Sequence, residues 1–207
     1  KRPAAKRPAA APKPPAAKRP TTATSCPEYV LVSSYTEKLG HVQSPSCPHS
    51  KGITVLRRSV KANGKGFGKL VVHSRVDAGR NPTYMCANRA GTRIYVVNEV
   101  GNSDETGNLL SAYAFEARTG KLSLMNSVET GGAVACHVDI SCDEKFLAVA
   151  NYMGGSVTLF GINDDGSVGV RTDLCKHERL GVGVNAERQE GPHAHMALFD
   201  ATGQYVL

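Results

Sequence analysis

The sequence predicts an all-β protein built from repeated units of about four strands, and three observations predict it. Short apolar or alternating runs recur along the chain, bounded by Gly, Asn and Asp. No stretch of about 12 residues sustains a helical period. Residues Asn81–Glu99 (NPTYMCANRAGTRIYVVNE) and Val134–Tyr152 (VACHVDISCDEKFLAVANY) align without gaps at an offset of 53 residues. Four strands in roughly 50 residues is the signature of a β-propeller blade. A sandwich also yields short strands, but not this self-similarity.

The elements follow in order from Glu28. Tyr29–Val32, Ile53–Leu56 and Leu70–His73 are the strand runs of a first unit. Ile94–Val97 and Leu110–Phe115 belong to the second, and Phe146–Ala150 and Val157–Phe160 to the third. Asn63-Gly64, Thr119-Gly120 and Asp164-Asp165-Gly166 mark turns. The glycine-rich, basic Lys61–Lys69 reads as a hairpin loop, since it does not match the phosphate-binding GxxxxGK[ST] pattern. A further copy begins at Gly191 (GPHAHMALFDATGQYVL), with Phe199–Gly203 in the same strand–turn–strand slot after about one residue of slippage. The count is about three and a half blades, whereas a closed ring needs four to eight. The expectation is therefore a partial propeller over residues 25–207, truncated and inactive alone. The missing initiator Met and the strand-like Tyr205-Val206-Leu207 point the same way.

Residues 1–24 are of another kind. This segment holds six of the chain's 11 prolines and seven of its 25 basic residues, with no acid. Pro removes backbone donors, and Ala with Lys buries too little surface to offset chain entropy. It reads as a disordered basic tail, a solvated spacer or a targeting arm. The remaining 18 basic residues face 18 acidic ones. The folded part is thus formally neutral, and no nucleic-acid partner is expected of it. No apolar run approaches a membrane span of roughly 18 residues. The six cysteines show no CxxC spacing and mostly sit in apolar runs, which points to small hydrophobes in a reduced, cytoplasmic setting.

The repeat also places the polar residues. The start of each unit's first strand and the end of its second lie at one end of the blade. Tyr84 meets Asn98 and Glu99 there, His137 meets Asn151 and Tyr152, and His193 and His195 enter the same place in the next unit. Convergent polar groups of several blades make the mouth of the channel the candidate site. His137 is the sharpest residue, because the sister repeat has Tyr84 there and the fold does not require His. It reads as a general base or a hydrogen-bonded structural histidine. His193 and His195, at i and i+2, share one strand face. Substrate contact, packing and metal binding with Cys175 and His177 are all open, and no metal or other cofactor is expected. Arg188 lies in an irregular glycine-rich stretch, Gly181–Gly191, where it could hold a carboxylate or phosphate. Glu99 is a carboxylate base, a hydroxyl acceptor or a solvated turn acid. Asn98 and Asn151 recur, which favours a backbone-capping role over substrate contact.

NPTYMCANRAGTRIYVVNE, CHVDISCDEKFLAVANYMGGSVTLF and RQEGPHAHMALFDATGQYVL, in this order and spacing, resemble the lactonase family of seven-bladed β-propellers. The resemblance runs from about Tyr29 to Leu207 and covers only the N-terminal half of a family member. It implies a lactone substrate in the channel mouth, 6-phosphogluconolactone of the pentose phosphate pathway first. It places functional residues at His137 (CHV) and Arg188, with His193 and His195 in the PHAH motif. The implied roles are His137 as base or acid, Arg188 as anion anchor, His193 and His195 as polarising groups, and Glu99, Asn98, Asn151 and Tyr152 as lining. Ser33–Thr36 replaces a glycine-containing opening, and Val134-Ala135 stands where proline is usual. The Lys38–Ser50 loop and the tail are also outside the pattern, and none of these departures is expected to touch the site. The rivals are a muconate-cyclising enzyme of the same fold and a non-catalytic interaction platform. No oligomeric state is read.

Overall fold

The computed structural model describes residues 28–37, 50–59, 68–101, 107–178, 183–185 and 188–207. The basic tail at 1–24, Cys26, Cys47, loop residues 38–49, the 61–67 loop and parts of the 181–191 stretch lie outside these described residues.

Eleven strands form three antiparallel sheets, and the described residues contain no helix. The first sheet is β1 (Tyr29–Ser33), β2 (Gly52–Arg58) and β3 (Leu70–Asp77). The second is β4 (Pro82–Ala87), β5 (Arg93–Asn98), β6 (Leu109–Glu116) and β7 (Lys121–Glu129). The third is β8 (Ala135–Ile140), β9 (Phe146–Asn151), β10 (Ser156–Ile162) and β11 (Val168–Lys176). In each sheet the strands pair in sequence order, as in a propeller blade. A bridge between Phe199 and Val206 opens a fourth unit.

The first sheet has three strands rather than four. Register explains it. Ser33 pairs with Ile53 as Val97 pairs with Leu110 and Ala150 with Val157. Strand β1 is therefore the counterpart of β5 and β9, the second strands of their blades. The expected slippage in the last copy is absent. Gly91, Glu144 and Gly203 occupy the same turn position, all at positive φ of 65°, 58° and 70°. The strand ends close alike, with Asn88, Ser141 and Asp200 donating to Arg93, Phe146 and Tyr205 carbonyls. Counted back from that shared turn, His195 falls at the position of Cys136 and Thr83, and Met196 at that of His137.

Three apolar layers hold the units together. Ile53 and Ala78 of the first unit pack with Ile94, Val96, Tyr113 and Leu122 of the second. Tyr95, Val97, Leu110 and Ala112 pack with Ala135, Val138, Leu147, Val149, Phe160 and Val168 of the third. Ala148 and Ala150 pack with Ala197. Alternate residues of β5 and β9 thus face two different neighbours. A strand buried on both faces reads as an unbroken apolar run, which is why these two are the plainest in the sequence. The outer strands β3 and β11 are mostly exposed.

Candidate active site

Two local features aim side chains at one end of the stacked sheets. The first strands carry a bulge: the register of β4 skips Thr83, and that of β8 skips Cys136. A bulge turns its extra residue out of the ladder and re-aims it. The second strands end in residues just past the ladder, namely Tyr35 after β1, Glu99 after β5 and Tyr152 after β9. These five, with Tyr84, Arg188 and His195, line a cleft of about 440 Å³. That volume is in the range of small-molecule sites.

One side of the cleft is acidic. Glu99 is 8% exposed, and the Tyr35 hydroxyl donates to its Oε2 at 2.6 Å. Burial and then this carboxylate push the Tyr35 phenol up to about 12, so it remains a donor. Burial, and next the charge of Glu99, also push the Cys136 thiol up to about 12. A thiol so protonated is a poor nucleophile. Its Sγ instead lies 3.4 Å from the His195 carbonyl.

The other side is cationic and aromatic. Arg188 Nη2 donates to the Tyr152 hydroxyl at 3.1 Å. His193 stacks on the Tyr152 ring at 4.4 Å between centroids, and His195 meets the same ring edge-on at 5.5 Å. His193 Nδ1 lies 3.1 Å from the Tyr152 carbonyl, and its Nε2 lies 3.1 Å from Glu190 Oε1. The two histidines of the PHAH motif thus both brace Tyr152, but only His195 reaches the cleft wall. Among the described residues, no three His, Cys, Asp or Glu side chains converge as a metal-holding group.

Of the residues expected from sequence, Glu99, Tyr152, Arg188 and His195 come together around this cleft. His137 does not line it. It is 5% exposed, and its ring lies against Tyr84 with centroids 4.3 Å apart. Burial pulls its imidazole below the ordinary histidine value, more than neighbouring Asp139 raises it. Its position explains this: His137 follows the bulge, so Cys136 faces the cleft and His137 turns inward. Asn98 and Asn151 are also buried away from the cleft lining. Asn98 Nδ2 donates to the Ala78 and Arg80 carbonyls, each at 2.7 Å. Asn151 Nδ2 donates to Thr158 Oγ1 at 3.0 Å and Ser156 Oγ at 3.2 Å. Both therefore pin the blade end rather than present an amide to a ligand.

Three lining residues were missed. Thr83 and Cys136 were hidden because a bulge leaves no mark in hydrophobic alternation. Tyr35 lay in the Ser33–Thr36 segment expected to be remote from the site, and the structure corrects that. Extending the repeat through the first unit aligns Tyr35 with Glu99 and Tyr152, a signal already present in the sequence.

The family model described as lactonase, 7-bladed beta-propeller matches residues 29–207. The chain is 32% identical over 127 residues to the 6-phosphogluconolactonase of Bacillus subtilis, covering 61% of this chain and 34% of that protein. It resembles the crystal structure of a Bacteroides fragilis protein proposed to be a 6-phosphogluconolactonase, with a TM-score of 0.72 and 30% identity, over 90% of this chain and 46% of that one. It also resembles the periplasmic gluconolactonase of Pseudomonas aeruginosa, with a TM-score of 0.69 and 26% identity, over 87% of this chain and 46% of that one. The chain thus spans between a third and a half of the length of these relatives. No helix of the described residues is long and apolar enough to cross a membrane.

Proposed function

The chain belongs to the lactonase family of seven-bladed β-propellers, and on that premise we propose that it serves the hydrolysis of a sugar lactone, 6-phosphogluconolactone first. The observation that carries this reading is the pairing of Arg188 and Glu99 on the walls of one small cleft. A phosphorylated aldonolactone offers an anionic end, several hydroxyls and an electrophilic carbonyl. A guanidinium can grip a phosphate with two donors. A carboxylate can accept from hydroxyls or from water. The aromatic faces of Tyr84 and Tyr152 supply flat apolar walls between these ends.

Arg188 is the anion anchor, and its hold on the Tyr152 hydroxyl aims the guanidinium. His195 and Tyr152 position the ring, with His193 bracing Tyr152 from behind. His137, the base suggested by resemblance, is assigned instead to supporting Tyr84, because it is buried beside that ring. The test is lactone disappearance with purified full-length protein, measured against spontaneous hydrolysis. Acceleration with 6-phosphogluconolactone, and a weaker effect with the unphosphorylated lactone, is the expected result. An unchanged rate with folded protein overturns the reading.

A further inference from the structure

We propose that Glu99 takes the proton from the attacking water, and that Tyr35 and Asn81 are the positioning residues that aim its carboxylate. The proposal rests on the lactonase reading above.

Asn81 joins the first two blades through a set of hydrogen bonds. Its Oδ1 accepts from the backbone N–H of Thr36 and of Glu37, each at 2.9 Å. Its own N–H donates to Thr36 Oγ1 at 3.1 Å. Its carbonyl accepts the Glu99 N–H at 2.9 Å. One fully buried residue thus holds both the chain that carries Tyr35 and the chain that carries Glu99. The Tyr35 hydroxyl then donates to Glu99 Oε2 at 2.6 Å. Asn81 sits at φ 44°, in the left-handed region where Asn is tolerated better than most residues. Val134 at the equivalent position shares this conformation, so it belongs to the blade's entry turn.

The sister position makes its tie from a different residue. Val134 stands where Asn81 does, at φ 59°, and its carbonyl likewise accepts the Tyr152 N–H at 2.8 Å. Val134 has no side-chain acceptor, and buried Asn108 makes the tie there instead: its Oδ1 accepts from the N–H of Val134 at 2.9 Å and of Val100, next to Glu99, at 3.3 Å. What sets the Asn81 tie apart is its reach: it holds Thr36 and Glu37, directly beside the Tyr35 that donates to Glu99.

A buried carboxylate needs hydrogen-bond donors to stay charged. Tyr35 supplies one, and the opposing Oε geometry is then set within a narrow range. Position matters because a general base must meet its water within hydrogen-bond reach. In the step proposed, a water O–H bond breaks and its proton passes to Glu99. The water oxygen bonds to the lactone carbonyl carbon, and the C=O π pair moves to oxygen. Collapse of this adduct breaks the bond between that carbon and the ring oxygen. The ring oxygen takes the proton back from Glu99, which regenerates the carboxylate and yields the hydroxy acid. The titratable and charged groups sharing the cleft are Tyr35, Tyr84, Cys136, Tyr152, Arg188 and His195.

The experiment is a kcat/KM–pH profile of the full-length protein on 6-phosphogluconolactone, corrected for spontaneous hydrolysis. Glu99→Gln is expected to lower kcat at least about 100-fold with KM within about 2-fold, and to remove the acid limb. Tyr35→Phe is expected to lower kcat about 10-fold and to displace the acid limb upward, because the carboxylate loses a hydrogen-bond donor. Asn81→Gly, which keeps the backbone conformation accessible, is expected to do the same in lesser degree. The double variant should be no worse than Tyr35→Phe alone, because both act through Glu99. Thermal unfolding of each variant checks that it is folded. Full activity in Glu99→Gln, or an acid limb that stays in place in Tyr35→Phe, overturns the assignment and leaves the lactonase reading standing. Wild-type protein that leaves the lactone at its spontaneous rate overturns both.

Discussion

In the β4–β5 hairpin the bulge carries Thr83 and the strand end carries Glu99. In the β8–β9 hairpin the same bulge carries Cys136 and the same strand end carries Tyr152. Turn closure, the positive-φ turn residue and the two-sided burial of the second strand are common to both. What differs is the chemistry delivered. The first hairpin contributes a carboxylate held by Tyr35, and the second a phenol held by Arg188 and backed by His193. The lesson is that the blade fixes where a side chain will point, and exchange at a few strand-end positions decides what the cleft can bind.

The largest expected effect breaks what the hairpins share. Leu147 of β9 is fully buried in the layer between the second and third blades. Leu147→Ala should cost about 2–5 kcal/mol in the unfolding of the full-length protein. A loss below about 1 kcal/mol would show that the layer is loosely packed. The next effect sharpens what differs. Arg188→Ala should raise KM for the phosphorylated lactone about 10- to 100-fold, as expected when a charge-assisted pair is lost. It should change KM for the unphosphorylated lactone far less. Equal effects on both substrates would remove Arg188 as an anion anchor.

A smaller effect tests the shared turn. Gly91 sits at φ 65° with open space where a Cβ would go. Gly91→Ala should therefore cost about 1 kcal/mol from backbone conformation alone. A neutral result in equilibrium unfolding would mean the turn relaxes. The smallest effect concerns His137 and is seen only as a slope with pH. Burial holds its folded-state pKa below the ordinary histidine value of about 6.5. Stability is then complete above that value and declines as pH falls through it toward the folded-state pKa, because the unfolded chain binds the proton more readily. The melting temperature of the wild type should fall more than that of His137→Gln between about pH 7.5 and 5.5. Parallel curves would show that His137 is not held neutral by burial.

Much of the fold was legible from residues alone. The unbroken runs Ile94–Val97 and Phe146–Ala150 marked the doubly buried second strands, and the gap-free repeat marked the blades. Glu99, Tyr152, Arg188 and His195 were legible as residues that would share one blade end, the first two from strand ends, Arg188 from the irregular Gly181–Gly191 stretch and His195 from the repeat. His137 was harder. A residue's place at a blade end was readable, but the side to which it turns depended on a bulge that composition does not encode.

The sequence by itself determined the strand periodicity, the repeat, and the blade end at which polar residues gather, because these follow from local alternation and turn chemistry. Only the tertiary structure decided which of those residues share a cleft. Tyr35 and Glu99 are 64 residues apart, and Arg188 and Tyr152 are 36 apart. Each pair meets because neighbouring units stack through apolar layers, and the bulges and the Asn81 clamp then set the angle at which each side chain arrives.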